Sequence, residues 1–360
     1  MRGRLTISGL AVLAATAATA SACAAGDGAE RAGPPPVVRA DDAVRPQEGR
    51  DYRLVRTLRD RDARRASGVV ESGEVLLTWY TKSYDVEHAL LDPWSGRRTR
   101  LPDLGGATEV LSATSSTVYF VRPAPGPPRD LVRLDRSTGH RRHFTLPDVP
   151  RGGHYTVLGL DDDSVWFKTG PAYDHDSPDD VWSVRFGRPG TLEHQGRFST
   201  PTLSDGVLAY AVRRTDGGPD SVALREVATG DTVTVTLPAG CSAGSRWMTI
   251  LGNGDQVAVD SYCGDHSPTF VVDRRDGIVA DLRVESDEGA MQMSDRTVSF
   301  YWYSYDLATG TLYDVSDRTS LGGTPPTAGP GDRPIMIWPR GNDRHDDPTK
   351  VLVVRLADPA

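Results

Sequence analysis

The pentapeptide Gly240-Cys241-Ser242-Ala243-Gly244 has the form G-x-S-x-G, and Asp260 and His266 follow it in the chain order of a serine-hydrolase triad. In a nucleophile elbow such a serine sits on a turn entered from a strand and left by a helix. Here TVTVTLP precedes and RWMTILG follows, and both read as strands. The segment is therefore expected to be a Gly-Ser loop, and no catalytic residue is assigned to it.

Two acidic loops offer different chemistry. Asp174, His175 and Asp176 lie in GPAYDHDSPDD, and His345 and Asp346 in PRGNDRHDDP. Oxygen-rich loops of this kind can hold calcium. Pro178 interrupts the first loop and the glycine that an EF-hand bend requires is missing. The two readings are a calcium site and a solvated acidic loop, and no other cofactor is expected.

A third group is aromatic. Trp79 and Trp302 stand four residues past Val75 and Val298, and Trp338 takes a similar place in the last repeat. With Tyr80 and Tyr301 they form an expected ligand-binding patch, against the plainer alternative that the rings pack between sheets.

Positioning these residues depends on where the chain folds. Residues 1–23 begin with Arg2 and Arg4, continue through an Ala-rich apolar run and end at Cys23, the pattern of a secretory signal. Ala20-Ser21-Ala22-Cys23 resembles the lipobox of bacterial lipoproteins, which implies lipidation at Cys23 and attachment to the outer face of the cytoplasmic membrane. The alternatives are simple cleavage and secretion, or a retained apolar anchor. Residues 24–50 are poor in large apolar side chains and contain Pro34-Pro35-Pro36, so they read as a flexible linker. With Cys23 set aside, Cys241 and Cys263 remain as an even pair in an oxidising compartment, which points to a disulfide.

Beyond residue 50 a unit repeats: a β-branched and aromatic strand, a loop, a second strand, a Gly turn and a short third strand. Its turn glycines are Gly96, Gly139, Gly190, Gly230, Gly277 and Gly310, spaced 33 to 51 residues apart. This period and strand content predict an all-β, seven-bladed β-propeller over residues 51–360. The last unit lacks an outer strand, and DYRLVRTL at residues 51–58 is expected to supply it beside Val351–Leu356, closing the ring and removing an exposed edge.

The stretch SDGVLAYAVRRTDGGPDSVALREVATGDTVTVTLP, residues 204–238, resembles the blades of TolB-like periplasmic propellers in its Asp-Gly turn, its strand and its Ala-Thr-Gly turn. Sparing use of lysine, with only Lys82, Lys168 and Lys350, resembles actinobacterial proteins. The formal charge of −8 excludes a basic nucleic-acid footprint. With no complete catalytic motif, the expected function is a non-catalytic, membrane-tethered scaffold for an envelope protein or glycan. The alternative is an exported metal-assisted hydrolase or lyase acting on a glycan or lactone.

Overall fold

The computed structural model describes residues 34–358 apart from 84, 103–108, 125, 146–153, 162–163, 171–177, 187–190, 215–218, 244–248, 285–291, 301, 317–326, 329–334 and 343–344. These residues form six sheets, almost entirely antiparallel and with neighbouring strands mostly consecutive in sequence. In chain order, the first sheet holds Ala66–Val69, Val75–Tyr80, Val86–Leu91 and Arg98–Arg100. The second runs from Glu109–Ala113 to Arg141–Thr145. The third has seven strands, because Leu192–Ser204 pairs through its first half with Asp179–Arg185 and through its second half with Val207–Val212. The fourth centres on Gln256–Tyr262, the fifth on Thr297–Ser299, and the sixth on Ile335–Asn342 and His345–Leu356.

Short turns make this order possible. In the turns beginning at Asp92, Asp135 and Asp273 the carboxylate accepts backbone N–H groups two and three residues on, as from Ser137 and Thr138 onto Asp135 at 2.9 Å. The turn then closes at a glycine with positive φ, 71° at Gly139 and 77° at Gly277, a conformation that a side chain disfavours. Immediately after the turn's first residue, the N–H of Arg136, Val227, Arg274 or Leu307 donates to a carbonyl in the neighbouring hairpin turn of the same repeat, Ser116, Gly206, Asp255 or Arg296 respectively. Both sets of turns are thereby stitched together on one face.

The apolar core lies between sheets. Val118 and Phe120 of the second sheet pack with Leu90 of the first, Val259 and Phe270 of the fourth with Val222 and Leu224 of the third, and Tyr313 of the fifth with Met336 and Trp338 of the sixth. Ile335, Ile337 and Val353 of the sixth pack in turn with Val75, Leu77 and Ala89 of the first. The amino-terminal strand Tyr52–Arg59 lies antiparallel on the carboxy-terminal one, Tyr52 opposite Leu356 and Leu58 opposite Val351.

One expectation is corrected. The residues from Pro36 to Arg50, read as linker, are docked on the fold. Val37–Arg39 pairs in parallel with Asp281–Arg283, and Val44 bridges to Tyr313. Val38 and Ala43 bury against the core between the fourth and fifth sheets. Edge strands offer unpaired backbone groups, and a short extended segment satisfies them despite its few large side chains. The signal segment and Cys23 lie outside the described residues.

Candidate functional site

A large cavity, about 1140 Å³, opens on the face where the turns are stitched. Its rim is built from the turns between the first two strands of successive repeats. Asp205 and Gly206 form a two-residue hairpin loop between the paired Ser204 and Val207, with φ of 47° and 73°. An Asp-Gly pair selects that mirror-image turn because aspartate tolerates, and glycine favours, positive φ. Asn253-Gly254-Asp255 and Asp161 occupy matching places in neighbouring repeats, and Glu71 does so in the first sheet.

These rim side chains follow one rule: each reaches toward the next repeat. Glu71 accepts the N–H of Ala113 at 2.8 Å, and Asn253 donates to the carbonyl of Ser294 at 2.8 Å. Asp161 lies beside Gly206, and Asp205 beside Gly254, in each case where a glycine leaves room for the carboxyl. The result is a row of carboxyl groups along the mouth, with Arg274 paired to Glu226 at 3.2 Å behind it. Burial, then the charges of Asp295 and Glu71, raise the pKa of Asp205 above the ordinary carboxylate value, although Ser204 hydrogen-bonds to it. A carboxyl whose acid form is favoured in this way is suited to proton donation.

A second recess of about 330 Å³ opens among the turns of the first two sheets. Trp94, 52% exposed, lines it together with Glu74 and Arg136, which are paired at 2.7 Å. Sequence reasoning passed over Trp94 and the rim carboxyls alike. The signal was present, since Trp94 sits within an Asp-Pro-Trp-Ser-Gly turn and turns face solvent.

The expected site residues fall elsewhere. Asp174, His175, Asp176 and Tyr301 lie outside the described residues. The backbones of His345 and Asp346 begin the last strand, while their side chains are outside the description. Trp338 is fully buried and meets Tyr52 edge-on at 4.8 Å, so its assignment to a ligand patch is corrected. Strand alternation turns Met336 and Trp338 toward the fifth sheet and Ile335 and Ile337 toward the first, leaving the indole no open side. Trp79 is half-buried beneath the Arg65 guanidinium, which stands 4.2 Å from its ring, Trp302 is half-buried, and Tyr80 is 73% exposed.

Cys241 and Cys263 form the expected disulfide, with their Cα atoms 4.1 Å apart. The three residues of the formal triad have other partners: Ser242 Oγ donates to the Tyr262 carbonyl, and His266 pairs with Asp265 at 2.7 Å. Asp260 accepts from Thr249 Oγ1 and Thr269 Oγ1, both at 2.6 Å. Strands alternate in direction, so the disulfide, which ties the connection after Thr232–Thr236 to the loop after Gln256–Tyr262, belongs to the face opposite the large cavity.

No family profile and no curated protein matches the sequence. Solved structures do. An oligogalacturonate lyase in complex with manganese aligns with TM-score 0.53 and 14% identity, over 84% of this chain and 90% of its own. The β-propeller domain of the Trilobed protease from Pyrococcus furiosus aligns with TM-score 0.48 and 11% identity, over 81% and 94%. The Pyrococcus horikoshii acylaminoacyl peptidase aligns with TM-score 0.49 and 12% identity, over 79% of this chain and 49% of its own. The repeated antiparallel sheets of the described residues make a propeller-like, nearly all-β fold. The expectation of a non-catalytic scaffold is corrected: the structure that aligns at TM-score 0.53 is an enzyme, a lyase, and at 14% identity what it shares with this chain is the fold.

Proposed function

We propose that this chain is an exported hydrolase or lyase acting on an uncharged glycan or lactone, with its chemistry at the carboxyl-lined mouth. The observation that carries this reading is the placement of Asp205 in a row with Asp161, Asp255 and Glu71 around a cavity of about 1140 Å³. In a hydrolysis, Asp205 in its acid form would give its proton to the leaving oxygen. A neighbour, Asp255 or Asp161, would take one from the attacking water. An anionic glycan would be repelled by the same carboxylates, which favours an uncharged substrate.

Among the described residues no group of three His, Cys, Asp or Glu side chains is placed to hold a metal ion. The steps above use the chain's own carboxyl groups, and none passes through a metal.

The frame around the site is proposed to be a closed ring of seven blades. The seven-stranded sheet divides into two repeats at Leu192–Ser204, and the first and sixth sheets pack on each other. Lipidation at Cys23 and residence at the outer face of the cytoplasmic membrane belong to the same proposal and rest on the signal pattern alone.

The test is turnover of a panel of neutral oligosaccharides and lactones by the purified protein. Asp205→Asn should lower kcat by roughly 100-fold or more and remove the alkaline limb of the pH profile. No turnover across the panel, or an unchanged Asp205→Asn enzyme, would end the reading.

A further inference from the structure

The outermost strand of each repeat presents an unpaired edge, and all but one of the described edges are defended. Arg98–Arg100 carries two arginines, Arg141–Thr145 two arginines and a histidine, and Tyr52–Arg59 three arginines. The half of Leu192–Ser204 that pairs with Asp179–Arg185 carries Glu193, His194 and Arg197. Gly277–Arg283 is covered by Val37–Arg39, and Thr311–Asp314 is bridged by Val44. Charge and cover are the usual guards against edge-to-edge association. Thr232–Thr236, with the sequence TVTVT, carries no charge, and among the described residues no strand covers it.

The hydrogen-bond phase of this strand sets which groups face outward. Glu226 N–H donates to the Asp231 carbonyl at 2.9 Å, and Leu237 N–H to the Asp220 carbonyl at 2.9 Å. In the same register Val233 stands opposite Leu224 and Val235 opposite Val222. The odd-numbered positions therefore bond inward, and Thr232, Thr234 and Thr236 aim their N–H and C=O groups away from the sheet. Their side chains are exposed.

We infer that Thr232–Thr236 is a self-pairing edge, joining two copies of this chain antiparallel about a two-fold axis at Thr234. TVTVT reads the same in both directions, so the axis sets Thr232 opposite the partner copy's residue 236, and Thr234 opposite its own equivalent. All three are outward-bonding positions, which yields about six backbone hydrogen bonds across the joint. Threonine faces threonine on the open side, a favourable cross-strand pair. No charge meets a like charge, whereas self-pairing of the guarded edges would bring arginine against arginine. Asp231 falls opposite the partner copy's residue 237, a leucine. Two five-residue edges bury less than the roughly 1,200 Å² of a stable interface, so the dimer is reversible, with a dissociation constant on the order of 0.1 mM.

Sedimentation velocity of the purified full chain from micromolar to millimolar concentration tests this, together with amide exchange at Thr232, Thr234 and Thr236. The expected result is a monomer-dimer equilibrium, with exchange at those three amides slowing as dimer forms. Thr234→Lys places like charges together on the axis and should weaken the dimer at least about tenfold, whereas Thr234→Val should leave it intact. Thr99→Lys, on a guarded edge, should change nothing. A monomer throughout, a dimer equally stable in Thr234→Lys, equal loss in Thr99→Lys, or pairing only with a strand of another protein would each overturn the inference. Because exchange and Thr234→Lys both probe the wild-type fold, neither depends on the proposed enzymatic activity.

Discussion

Asp205 leans over Gly254 of the neighbouring sheet so closely that a methyl group on the glycine would sit 3.2 Å from the Asp205 Cβ. The relation recurs one repeat earlier, where a methyl on Gly206 would meet the Asp161 carboxyl at 3.8 Å. The rim row thus depends on glycines that admit the preceding repeat's acid.

Gly254→Ala should destabilise the protein by about 2–3 kcal/mol, combining a φ of 92° with displacement of Asp205. Gly73→Ala, with φ of 75° and nothing within 4 Å, isolates the backbone share and should cost about 1–2 kcal/mol. Urea midpoints measure both. Equal losses would mean that the approach of Asp205 carries no weight.

Asp205→Asn should stabilise the protein at pH 7. Burial, Asp295 and Glu71 all oppose the charged form of the wild-type carboxyl, while asparagine keeps the turn without the charge. Because the folded pKa is raised, the penalty disappears as pH falls through it and is gone below the unfolded value of about 3.9. Thermal midpoints of the two proteins should separate at pH 7 and converge near pH 3.5. A gap widening on acidification would contradict the assignment.

The Asp135 turn behaves in the opposite sense. Its carboxyl is held down to about 2, first by the Ser137 hydroxyl and then by Thr138. A depressed carboxyl contributes stability above its unfolded value of about 3.9, and that contribution is lost as pH falls toward 2. In an NMR titration, Ser137→Ala should raise the Asp135 midpoint toward the ordinary carboxylate value. An unmoved midpoint would show that the serine bond is not the cause.

Replacing both Cys241 and Cys263 by serine opens a link between positions 22 apart and should cost about 3 kcal/mol in the chain-entropy account. The pair lies on the face opposite the large cavity, so any turnover measured below the unfolding transition should stay within about twofold of wild type. A large loss of kcat in the folded variant would place the chemistry on the disulfide's face instead.

The amino-acid sequence by itself determined the local and periodic features of this protein. Asp135 and Gly139, or Asp205 and Gly206, specify their turns through side-chain acceptors and positive φ, which need no distant partner. Alternating apolar strands at a regular period imply stacked antiparallel sheets, and two cysteines left over imply their pairing. Only the tertiary structure decided what those turns do together. Asp161, Asp205 and Glu71 stand in different repeats, and nothing local shows that they share one mouth or that burial lifts Asp205. Trp338 followed the same logic: its place in a strand was legible, but its burial depended on Tyr52 arriving from nearly 300 residues away. The segment from Pro36 to Arg50 looked like linker because backbone pairing, not side-chain hydrophobicity, holds it, and that pairing exists only once an edge is there to receive it.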